Sequence, residues 1–196
     1  MSTETDQSLE TLRFAFDQII EDELYQAGLD WGKPRSGHNE GTIRAHIQEL
    51  ESNLDYFYGK NMIDDVQRMK LLILIHVHDI RKIHATPGSS IDSPYSHASL
   101  AREFLSKFLD DEDMLNMVQY HDESFALYRR FEKKGSFNQD RLDRLVNEIE
   151  DWDLFLIFNI IDNHTAGKSN RPLRWFMEQI KDRVKTQVDD SWFIRS

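Results

Sequence analysis

The stretch Leu71-Leu72-Ile73-Leu74-Ile75-His76-Val77-His78-Asp79-Ile80 most limits what this chain can become. It is shorter than the roughly 20 apolar residues that span a bilayer, and too apolar for a helix on a protein surface. Met62, Ile63, Val66 and Met69 precede it at helical spacing, so the pattern predicts one helix from about Met62 to Ile83 in the middle of a bundle. That helix carries an adjacent ionisable pair, His78-Asp79, near its C-terminal end. Burying such a pair requires a partner or a metal ion to offset lost hydration. Imidazole nitrogen and carboxylate oxygen are both ligands for divalent metals.

The remaining segments read as further helices. Leu9, Leu12, Phe14, Phe16, Ile19, Ile20 and Leu24 predict an amphipathic helix from Ser8 to about Ala27. The glycines and proline from Gly28 to Gly37 predict a loop. Ile43, Ile47, Leu50, Leu54 and Phe57 predict a helix that starts near Glu40 to Thr42 and stops at Gly59. Helices are also expected over Ser96–Leu109, Asp110–Tyr120, Asp140–Asn163 and Pro172–Val188, with a turn-rich segment from Thr86 to Pro94. No alternating strand pattern or internal repeat occurs. The expectation is an all-α bundle forming a single domain over 1–196, with its core at about 38–165 and terminal helices packed on it.

Five sites with histidine or carboxylate side chains stand on or beside apolar helix faces: His46, His78-Asp79, His97, His121 and Asp162. Positions so far apart in sequence meet only through tertiary packing, as in metal sites inside helical bundles. The chain contains no cysteine, so any metal must be held by His, Asp and Glu. Asp162 sits at a helix C-terminus, where negative charge opposes the helix dipole, and this favours a functional reason for it. His76 lies about 200° around the helix from His78, so the two cannot face one ion. His76 is expected to be a core histidine bonded to a backbone carbonyl. His38, in a glycine-flanked loop, competes with His46 for the first ligand position. His46 is preferred because it belongs to a helical apolar stripe.

The ordered set resembles the HD-domain superfamily of metal-dependent phosphohydrolases. His78-Asp79-Ile80-Arg81-Lys82-Ile83 is similar to the family's His-Asp-Ile-Gly-Lys stretch, with Arg81 in place of glycine. His97, with His121-Asp122-Glu123 following 24 residues later, resembles the family's His…His-His-Glu pair, and Asp122 stands where many relatives have a second His. Asn159-Ile160-Ile161-Asp162-Asn163 looks like the closing apolar-apolar-Asp motif. The resemblance covers roughly His38 to Asp162.

The resemblance implies an HD-like helical bundle that hydrolyses a phosphate ester of a nucleotide or small phosphorylated metabolite. It implies one or two divalent ions per chain, with Mn, Fe, Ni, Co, Mg and Zn left open. Asp79 is the natural shared ligand if His97 and His121 hold a second ion. Lys82, one turn after Asp79, is expected to assist catalysis and contact a phosphate oxygen. Arg35, His38, Lys168 and Arg171 are further substrate-contact candidates. Ser124-Phe125-Ala126 replaces the Gly-Tyr-Pro of the cyclic-dinucleotide branch, which argues against that substrate. A non-catalytic metal-binding module with a sensing or interaction role is the alternative.

The formal charge of −11 argues against nucleic-acid or anionic-membrane partners, and homo-oligomerisation stays open. Met1 to Asp6 lacks the basic and apolar regions of a signal peptide, so a cytoplasmic location is expected.

Overall fold

The computed structural model describes residues 4–34, 41–165 and 168–193. Every regular element among them is helical, and the one β-type contact is an isolated bridge between Gly32 and Thr42. The class is all-α. Among the described residues no helix is long and apolar enough to cross a membrane.

The helices are α1 (Glu4–Glu21), α2 (Glu23–Leu29), α3 (Ile43–Gly59), α4 (Asp65–Val77), α5 (His97–Leu105), α6 (Glu112–Tyr120), α7 (Glu123–Lys134), α8 (Gln139–Glu148), α9 (Trp152–Asn163) and α10 (Arg171–Ile180). The apolar run forms α4, which packs against α1, α3, α5, α6 and α9. Leu71, Ile73, Leu74, Ile75, Val77 and Ile80 have no solvent exposure. Burying each such side chain contributes about 1.5–3 kcal/mol, so the run ties the surrounding helices together. The second apolar helix, α9, lies against α4 and is buried along Leu154 to Ile161.

Several expected boundaries move, and side-chain caps account for most of the shifts. The Ser8–Ala27 expectation divides at Asp22, whose side chain accepts from Leu24 N at 2.7 Å and starts α2. Helix α4 begins after Met62 and Ile63, because Asp64 and Gln67 close a capping box: Gln67 N donates to Asp64 at 2.8 Å and Asp64 N to Gln67 at 3.1 Å. The same helix ends at Val77 instead of near Ile83, and a 3₁₀ turn over Lys82–His84 follows. The Asp140–Asn163 expectation breaks into α8 and α9 at extended Ile149. There the Asp113 carboxylate accepts from Glu150 N at 2.8 Å and Asp151 N at 2.9 Å. Helix α10 stops at Ile180, short of the expected Val188. Farther on, Thr186 Oγ1 and Gln187 N donate to Asp153.

One close approach sets the position of α4's end. Gly28, buried in α2, lies so near Ile80 that a Cβ built on it would stand 2.1 Å from the Ile80 carbonyl oxygen. The missing side chain lets α2 rest directly on the segment that follows His78-Asp79.

Candidate metal centre

Helix ends supply most of the cluster. His78 is the C-cap residue of α4 and Asp79 follows it; His97 is the first residue of α5; His121 is the C-cap of α6; Asp162 lies in the last turn of α9. His46 projects from the first turns of α3, behind the Thr42 cap. These six side chains form two groups, His46/His78/Asp162 and Asp79/His97/His121, with one ligand atom per residue within 4.8 Å of the others in its group. The sequence named all six. Of the other candidates, Arg35 and His38 lie outside the described residues. Arg171 is exposed and points at Glu132, 3.8 Å away.

Two histidines are oriented by the helices that carry them. His78 Nδ1 donates to Leu74 O at 3.2 Å and Ile75 O at 3.0 Å, and His121 Nδ1 donates to Val118 O at 2.7 Å. Each ring satisfies last-turn carbonyls of its own helix. With Nδ1 carrying that hydrogen, the neutral ring presents the Nε2 lone pair to the cluster, as a metal-ligating imidazole does.

The first group is tight. His46 Nε2 lies 3.0 Å and His78 Nε2 3.9 Å from Asp162 Oδ1, while His78 Nε2 is 3.5 Å from Asp79 Oδ2. In the second group His97 Nε2 and His121 Nε2 are 3.2 Å apart, and 3.8 and 3.7 Å from Asp79 Oδ1. Asp79 therefore turns one oxygen toward each group. Two lysines border the carboxylates: Lys82 is hydrogen-bonded to Asp79 Oδ2, and Lys168 Nζ donates to the Asp162 carbonyl at 2.9 Å and approaches its Oδ1 at 3.3 Å.

Charge is unevenly compensated. Burial holds the His78 pKa down at about 4 despite the nearby carboxylates, so its ring is neutral at pH 7. Burial also opposes charge on His121, but the Asp122 and Asp79 carboxylates outweigh it and raise its pKa to about 9. Burial acts against His46 too, and its bond to Asp162 reverses the direction and raises it. Burial would raise the Asp79 and Asp162 carboxyls; Lys82 and His78 hold the first well below the usual range, and Lys168 and His46 the second. The proton drawn to His121 thus supplies positive charge where a cation would stand.

The donor set fits a divalent ion on a second count. His78 Nε2 and Asp79 Oδ1 are buried without a hydrogen-bond partner. A buried polar atom left unpaired costs about 1–3 kcal/mol. A neutral imidazole lone pair facing carboxylate oxygens is unfavourable until a cation lies between them. The two groups have the composition and spacing to hold metal ions.

His76 departs from the backbone-carbonyl expectation. Tyr25 OH bonds to its Nδ1 at 2.6 Å, and its Nε2 lies 3.2 Å from Glu51 Oε1. It faces away from the cluster, as the 200° argument requires. On α7, Tyr128 and Phe131 pack on Trp175 while Phe125 is exposed. In the sequence Asp122 is a departure from the pattern that is able to rescue or redirect coordination, and its Oδ2 lies 3.2 Å from His97 Nε2 and 3.6 Å from His121 Nε2. Its adjacency to His121 was the available signal.

No protein family, curated protein or solved structure matches the chain.

Proposed function

We propose that the chain is a metal-dependent phosphohydrolase of the HD type, acting on a phosphate ester of a nucleotide or small phosphorylated metabolite. One observation carries the reading: six residues picked out by motif order converge from five separated segments into two adjoining three-residue groups, with Asp79 facing both. A structural ion pair needs two residues; this arrangement gathers four imidazoles and two carboxylates.

In this reading His46, His78 and Asp162 hold one ion, and Asp79, His97 and His121 a second. Bound divalent ions lower the pKa of water and neutralise charge that builds on a transferring phosphoryl group. The chain's own residues prepare that chemistry. The Nδ1 bonds of His78 and His121 to their helix carbonyls fix ring orientation and tautomer. Lys82 holds the Asp79 carboxylate in place and adds a positive charge for a phosphate oxygen. Lys168 does the same for Asp162. The apolar walls from α4 and α9 exclude bulk water and strengthen these interactions.

The test is reconstitution. Protein stripped with a chelator is reloaded separately with Mn²⁺, Co²⁺, Fe²⁺, Ni²⁺, Mg²⁺ or Zn²⁺ and incubated with nucleoside mono-, di- and triphosphates and small phosphomonoesters. Phosphate release that needs metal and is absent in Asp79→Ala is the expected result. Metal binding without hydrolysis across the panel would point instead to the sensing module, and no metal binding would sink both.

A further inference from the structure

The second group contains three residues, but a fourth side chain stands in ligand position. Asp122 Oδ2 lies 3.2 Å from His97 Nε2 and 3.6 Å from His121 Nε2. These distances parallel the first group, where Asp162 Oδ1 lies 3.0 Å from His46 Nε2 and 3.9 Å from His78 Nε2. Each carboxylate thus approaches two imidazole nitrogens, one closely and one loosely. Asp79 stands between the two arrangements with Oδ2 toward His78 and Oδ1 toward His97 and His121.

The backbone places Asp122 at the junction of α6 and α7. It occupies the N-cap position of α7, where an aspartate ordinarily accepts from a backbone amide of its own first turn. Asp22, Asp64, Asp111 and Asp151 all do so at their helices, at 2.7, 2.8, 3.1 and 2.9 Å. Asp122 makes no such bond, because its backbone is αR (φ −88°, ψ −3°) where theirs is more extended, and its side chain faces His97 and His121. An aspartate that approaches two imidazoles beside the buried, unpartnered Asp79 Oδ1 is placed for a cation.

Building on the proposed function, we infer that Asp122 is the fourth protein ligand of the second ion, giving two matched sets of two histidines and two carboxylates that share Asp79. The first set is His46, His78, Asp162 and Asp79; the second is His97, His121, Asp122 and Asp79. They differ in access. The Asp122 side chain is 48% exposed against 24% for Asp162, so the second ion is the one that meets solvent. It is also the more easily removed, because its outer ligand can rotate into water.

The experiment uses the full chain, stripped and titrated with Co²⁺ alone and with Mn²⁺ alone, followed by calorimetry and, for Co²⁺, by visible absorption. Wild-type protein is expected to bind two ions with separable affinities. Asp122→Asn keeps the shape but loses the anionic ligand, and is expected to weaken the second ion at least about tenfold and leave the first unchanged. Asp122→Ser removes the carboxylate outright and should show the same selective loss of the second ion. Asp162→Asn should remove the first ion. Two ions of unaltered affinity in both Asp122 variants would overturn the inference. A wild-type chain that binds one ion, lost in Asp162→Asn, also overturns it while upholding the metal-dependent reading. A wild-type chain that binds none overturns both.

Discussion

Gly28→Ala separates two opposite expectations. On helix propensity alone, replacing glycine inside α2 with alanine stabilises by about 1 kcal/mol. The packing predicts the reverse. The new Cβ would stand 2.1 Å from Ile80 O and 2.9 Å from Ile80 Cγ1 and Cδ1. Carbon and carbonyl oxygen approach no closer than about 3.3 Å, so the backbone must part by roughly 1 Å. An overpacked core costs about 1–3 kcal/mol, and a backbone oxygen cannot swing aside as a side chain can. Because the contact is with a backbone oxygen the upper end of that range applies, and about 3 kcal/mol of strain less about 1 kcal/mol of propensity leaves a loss of about 2 kcal/mol, which lowers the melting temperature by roughly 4–8 °C in a chain of this size. Ile80 directly follows His78 and Asp79, so the same shift loosens the ligands; a 1 Å misplacement costs up to about 100-fold in turnover. Calorimetric melting of the metal-free protein, followed by Co²⁺ titration, measures both effects. Gly59→Ala is the control, since a Cβ there meets nothing within 4 Å and should be neutral or mildly stabilising. Unchanged or raised melting in Gly28→Ala, with wild-type metal affinity, would refute the argument that this contact positions the site.

Asp79→Ala should abolish metal-dependent hydrolysis and reduce bound metal, because one carboxylate faces both groups; full activity in that variant would move the site elsewhere. The His121 pKa is raised from 6.5 to about 9, so the stability it contributes in metal-free protein is present below pH 6.5 and lost as pH rises through 9. Metal must displace that proton, so apparent affinity should climb between pH 6.5 and 9 with proton release, and calorimetry in buffers of different ionisation heat checks it. His76→Phe strands Tyr25 and Glu51 and should cost about 1–3 kcal/mol of stability by denaturant melting. The same variant should keep its metal content, and loss of an ion there would contradict the separation of His76 from the cluster.

What the sequence reveals depends on how local the cause is. The central position of α4 was legible because a run of isoleucines and leucines can be buried in few other ways. The six-residue cluster was legible because each member sits on or beside an apolar stripe in a fixed order. The break at Ile149 was not, since Asp113, which clamps it, lies 37 residues from Glu150 in sequence. Asp22 carries a visible capping signal, but the apolar spacing on both sides of it masks the interruption. His76 reads as a core histidine, yet its partners come from α2 and α3, and only packing selects them. Gly28 reads as the start of a loop; its contact with Ile80 exists only once α2 lies on the end of α4. Asp122 reads as a substitution in a motif, and its approach to His97 exists only once α5 lies beside the end of α6.

The two groups differ in how much chain each requires. Asp79, His97, His121 and Asp122 follow one another within α4 to α7, whereas His46 and Asp162 stand 116 residues apart. A chain emerging from the ribosome therefore has one group whole in sequence well before Asp162 is made. A translation product interrupted between Glu123 and Asn159 carries that group complete and the other without its carboxylate. The early group is built over short separations and the late one closes the bundle from end to end, so occupancy of the His46, His78 and Asp162 group would report that synthesis has passed Asp162 and that α3, α4 and α9 have met.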